Sequence, residues 1–118
     1  MKRILLLATA SLLSFGTFAN CEIYFNDPTD VAKCYEDESF AKVTSNLKKL
    51  KEISKEQLTY NPNVINDLNK SQKAWLLYRD SYCTTYSFYH GERNAHANCI
   101  VQLNNDRAKQ LKTDIDAN

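Results

Sequence analysis

The sequence predicts an all-α fold, an antiparallel three-helix bundle stapled by disulfides, and three observations carry that reading. Glycine and proline number two each in 118 residues, too few for a sandwich or barrel, which needs a turn signal roughly every 8–12 residues. Apolar residues recur at helical spacing along three long stretches. Four cysteines follow what reads as an export signal, and an even count in a short exported chain forms disulfides.

The first element is the export signal. Lys2 and Arg3 precede an apolar run from Ile4 to Leu13, and Thr17-Phe18-Ala19 supplies the small residues of a cleavage site. The apolar stretch Ile4 to Ala19 is 16 residues, short of the roughly 20 that a spanning helix needs, so no membrane anchor is expected. Lipidation at Cys21 would want a small residue before it, and Asn20 stands there. The expected product is residues 20–118, one helical domain in the periplasm or secreted after cleavage near Ala19. Cleavage takes Lys2 and Arg3 away, leaving 13 basic against 14 acidic residues. A net charge of −1 supplies no field for nucleic-acid binding.

After Pro28 no glycine or proline occurs until Pro62, and Phe40, Val43, Leu47, Leu50 and Ile53 recur at helical spacing, with Thr29 as the expected N-cap. Residues 20–38 hold six acids against Lys33, whereas residues 42–55 hold five lysines against Glu52. An acidic start and basic end suit the helix macrodipole, which accounts for the run Lys48, Lys49 and Lys51 without a polyanion partner. Asn61 as N-cap and Pro62 at the first helical position predict a second helix reaching about Tyr89, with Gly91 as its stop. Its inward stripe is Ile65, Leu68, Gln72, Trp75, Arg79, Tyr82, Tyr86 and Tyr89. A third helix begins near Asn94 or Ala95, with Cys99, Ile100, Leu103, Arg107, Leu111 and Ile115 inward. Short connections make neighbours antiparallel.

The expected disulfides are local, Cys21–Cys34 and Cys83–Cys99; the rival pairing is Cys34–Cys83 with Cys21–Cys99. Zinc is not expected, because gaps of 12 and 15 residues lack close ligand spacing. Neither metal nor cofactor is implied. No catalytic residue is expected either: the acids offer no converging pair for glycoside hydrolysis, and no phosphate loop or nucleophile elbow occurs.

The second helix carries Gln72-x-x-Trp75-x-x-Tyr78-Arg79-x-x-x-Cys83, and the third carries Cys99-x-x-x-Leu103-x-x-x-Arg107-Ala108-x-x-Leu111. Together these resemble the signature of the lysozyme-inhibitor LprI-like family of small exported bacterial domains, over residues 21 to about 112. The first helix departs from that family's usual pattern, reading Thr44-Ser45-Asn46-Leu47-Lys48-Lys49-Leu50 with no tyrosine. The resemblance implies a non-catalytic protein that binds a lysozyme-type muramidase. Alternatives are an immunity protein against a peptidoglycan-degrading toxin and an envelope structural module with no enzyme target. Gln72, Trp75, Tyr78, Arg79, Leu103 and Arg107 read as architectural, with Glu38 or Asp106 expected to neutralise Arg79. The segment between Cys83 and Cys99 is the candidate partner surface, through Tyr86, Tyr89, His90 and Arg93. Tyrosine and arginine are enriched at interfaces, and a disulfide-closed turn has less entropy to lose on binding.

Overall fold

The computed structural model describes residues 21–118; the expected export signal and its cleavage point lie outside the described residues. A short helix α1 (Cys21–Tyr24) leads into three long ones, α2 (Pro28–Gln57), α3 (Val64–Tyr89) and α4 (Ala95–Asp116). The fold is all-α, and both disulfides are the local ones, Cys21–Cys34 and Cys83–Cys99. Among the described residues no helix is long and apolar enough to cross a membrane.

Local chemistry sets the helix ends. Asp27, not Thr29, caps α2: its carboxylate accepts the Thr29 N–H at 2.7 Å, and Pro28 takes the first turn, where a missing N–H costs nothing. The short α1 has no apolar periodicity to announce it. It is held back onto α2 by the Cys21–Cys34 bridge and by the Tyr35 hydroxyl, which donates to Glu22. At the next break the chain makes an extra turn before the helix. Asn61 Oδ1 accepts the Asn63 N–H at 3.2 Å and Val64 N–H reaches Asn61 O at 3.3 Å, so α3 begins at Val64 rather than at Pro62. The α3–α4 turn is reversed by Asn94, the one described residue outside glycine with positive φ (65°). Gly91 has no positive φ, and a Cβ built on it would meet nothing, so its role as a conformational stop is not realised.

Polar cross-links fix the register. Asn104 of α4 donates to the Ser39 hydroxyl of α2 at 3.0 Å, and Asn46 of α2 donates to the Ala108 carbonyl at 2.9 Å, so α2 and α4 run parallel. Arg79 of α3 meets Asn104, whereas Gln72 meets Arg107, so α3 runs antiparallel to α4. The up-down-up order follows. The apolar core lies mainly between α2 and α4, where Val43, Leu50, Ala108, Leu111 and Ile115 are buried together. Phe40, Leu47, Ile53, Leu68 and Trp75 close its margin. A second, smaller cluster of Cys83, Cys99 and Ile100 with Tyr86 and Leu103 sits under the α3–α4 turn.

Candidate functional site

Two groups of residues separate in space. The signature residues gather where the three long helices meet. Trp75 is half-buried, with the Arg79 guanidinium 5.4 Å and the Arg107 guanidinium 5.8 Å from its ring centroid. Arg79 also lies 5.2 Å from the Phe40 ring of α2. Its Nη1 donates to the buried Asn104 at 3.0 Å, and its Nε donates to Asp80 at 2.8 Å. Gln72, buried, accepts from Arg107 Nε at 3.1 Å. These contacts join α2, α3 and α4 in one polar and aromatic knot.

The expected partners of Arg79 are not used. Asp106 is two residues past Asn104, a rotation of about 200° on the helix, and faces the seam with α2. Glu38 lies instead beside the Cys21–Cys34 bridge. The neighbouring Asp80 reaches the guanidinium, and the buried amide of Asn104 completes it. Arg107 has no carboxylate on it. Its Nη1 donates to Gln110 at 2.6 Å, its buried Nη2 has no partner, and burial pulls the guanidinium below its ordinary pKa against an upward pull from Asp114.

The second group is the α3–α4 tip. Tyr86 packs on the Cys83–Cys99 cluster and stacks on His90, centroids 3.8 Å apart. His90 is the C-cap of α3, and its N–H donates to the Tyr86 carbonyl. Its Nδ1 lies 3.8 Å from a Glu92 carboxylate oxygen. Tyr89 is 81% exposed, and Arg93 is exposed with no ion pair among the described residues. The bridge at the base of the turn holds Cα atoms of Cys83 and Cys99 5.5 Å apart. The four residues Tyr86, Tyr89, His90 and Arg93 therefore share one end of the bundle, while the signature residues other than Tyr78 and Leu103 lie deeper.

Two inward assignments on α3 change. Tyr82 is 43% exposed and Tyr89 is on the surface, because the packed stripe narrows toward the disulfide end. Tyr78, itself exposed, stacks on Tyr82 at 5.6 Å, and Tyr82 lies 6.1 Å from Tyr86. This ladder ends on His90 and was legible as a spacing of four from Tyr78 to His90. Phe88, inside the expected partner segment but not among its four named contact residues, is also strongly exposed and adds apolar area to the tip.

The family model described as lysozyme inhibitor LprI matches residues 27–111, which spans both groups and all three long helices. Neither a curated protein nor a solved structure matches the chain.

Proposed function

The chain belongs to the lysozyme inhibitor LprI family, and from that premise we propose that it is an exported, non-catalytic protein that inhibits a lysozyme-type muramidase through its α3–α4 tip. The family match carries the inhibitory reading; the exposure of the tip residues supports the location. A muramidase cleft holds two carboxyl groups. Arg93, with no ion pair among the described residues, together with the Tyr89 hydroxyl and the His90 ring, offers donors to such a cleft from a turn that the Cys83–Cys99 bridge pre-organises. The signature knot acts behind this surface by setting the angle at which α3 and α4 present it.

The test is inhibition of peptidoglycan hydrolysis by purified lysozymes of several classes. The unaltered protein is expected to inhibit at least one of them. A variant carrying both His90→Ala and Arg93→Ala is expected to inhibit roughly thirtyfold less well, the size of a lost interface anchor, with unchanged melting. No inhibition of any lysozyme would end the target assignment, and full inhibition by the double variant would move the surface elsewhere. Capture of a co-encoded toxin in place of lysozyme would identify an immunity protein.

A further inference from the structure

The described residues leave the seam between the first half of α2 and the first half of α4 unfilled. Two hollows of about 500 and 410 Å³ lie along it and meet at Ala32, Tyr35 and Asn98, within the roughly 300–1,000 Å³ of small-ligand sites. A third, of about 240 Å³, joins them at Ala32. Small side chains at Ala32 and Ala97 make the space; the wall is largely apolar, from Phe25, Pro28, Val31 and Val101 with the Tyr35 ring, and is set with the carboxamides of Asn26, Asn94, Asn98, Gln102 and Asn105.

The asparagines and glutamines of α4 divide sharply by use, and Gln110 is spent on Arg107. Asn104 is fully buried and spends its amide on Arg79, Ser39 and the Glu36 carbonyl. Asn98, Gln102 and Asn105 line the seam, and none of their side chains hydrogen-bonds another group among the described residues. Asparagine is a weak helix former, so two unspent asparagines within α4 weaken the helix and return nothing to the fold. Each carboxamide combines two donors with an acceptor, the complement of a hydroxyl pair or an acetamido group. The Tyr35 ring supplies an aromatic surface of the kind that packs on sugar C–H faces. The charged groups on the two larger hollows are the carboxylates Glu22 and Asp106, and the third adds Glu36, His96 and a Lys33 already paired with Asp37, an acidic balance that disfavours a phosphate or other anion.

We propose that this seam binds an uncharged, N-acetylated glycan segment, at a site that touches the α3–α4 turn only at Asn94 and contains none of Tyr86, Tyr89, His90 and Arg93. The α3–α4 turn and this groove then engage different molecules, one an enzyme and the other a saccharide.

The test is a titration of the full disulfide-bonded protein with a β-1,4-linked N-acetylglucosamine tetramer, followed through side-chain amide NMR signals. The expected result is saturable shifts of Asn98, Gln102 and Asn105, with affinity falling roughly tenfold or more in the Gln102→Ala/Asn105→Ala double variant. Both positions are exposed, so the variant keeps its melting temperature and its inhibition of lysozyme. Absence of shifts with the tetramer would overturn the proposal, as would equal binding by the double variant. If lysozyme without saccharide shifts these amides and the tetramer does not, the seam is a protein-contact face and the glycan assignment is wrong. The titration contains no enzyme, so its failure is distinct from failure of the inhibitor reading.

Discussion

Arg79 is bound by one buried amide, one exposed carboxylate and two aromatic faces, and its replacement separates these contributions. Arg79→Ala leaves Asn104 Oδ1 buried without its donor, a loss of about 1–3 kcal/mol, and removes cation–π contacts worth about 0.5–2 kcal/mol. A destabilisation of about 2–4 kcal/mol in chemical denaturation is expected, with lysozyme inhibition retained by the molecules that remain folded. Unchanged stability with lost inhibition would make Arg79 a contact residue. Arg107 behaves differently, because its Nη2 is buried without a partner. Replacing it together with Gln72 by Met and Leu removes the orphan and both halves of their hydrogen bond. The pair is expected to be close to neutral in stability, whereas Arg107→Ala alone destabilises by stranding the buried Gln72 acceptor. A double-mutant cycle measures the difference. Tyr35 offers a pH readout. Its hydrogen bond to Glu22, with smaller contributions from desolvation and the charges of Glu22 and Glu38, raises its phenol above the ordinary value. A raised folded value means the tether is intact at neutral pH and is lost as the pH climbs past about 10. In a spectroscopic titration Tyr35 should ionise later than in the Glu22→Gln variant.

At the scale of elements, the α3–α4 turn couples a bridge, a stacked Tyr86–His90 pair and an exposed arginine. Replacing Cys83 and Cys99 by serine is expected to cost about 2–4 kcal/mol and to weaken inhibition beyond what unfolding explains, because the turn loses its brace. Thermal melts paired with inhibition curves below the transition test both parts. The helices themselves were legible in the sequence: Val43, Leu50, Leu111 and Ile115 announced the faces of α2 and α4 that do become core. Their ends were less legible, for a physical reason. Asp27-Pro28 and Asn61-Pro62 look alike as capping pairs, yet the first caps α2 while the second opens an extra turn held by the Asn61 side chain. Tyr86, Tyr89, His90 and Arg93 lie near one another because they are close in the chain, and Tyr86 and His90 stack. The partner of Arg79 was not legible, because helix opposition gives a position to within a residue or two, and only Asn104 rather than Asp106 faces inward. The amide-lined seam was invisible, since its walls come from residues some seventy positions apart, such as Ala32 and Gln102.

Across the whole molecule, α4 is the shared partner: it packs against both α2 and α3, which touch each other less. Charge is distributed unevenly over this frame, with the acids near the start of α2 and the lysines toward its end. These lysines follow Asn46, which pairs with Ala108 well along α4 from the α3–α4 turn, so the basic end of α2 has no place in a complex made through the tip. A Lys48→Ala, Lys49→Ala, Lys51→Ala triple variant is therefore expected to inhibit as the parent does, and loss of inhibition there would place the contact on α2.

The two disulfides join the first cysteine to the second and the third to the fourth, at sequence separations of 13 and 16. In a chain delivered N-terminus first into an oxidising compartment, each cysteine meets its proper partner before the next pair emerges. Correct pairing thus coincides with order of arrival, and a simple oxidant suffices where interleaved bridges would require a shuffling catalyst. Each linkage also closes within a short local segment before α2 and α4 must find one another across the length of the chain. Expression in an exporting cell that keeps its dithiol oxidase but lacks its disulfide isomerase should accordingly yield the native bridges as fully as in the parent cell, leaving helix docking as the step that governs maturation.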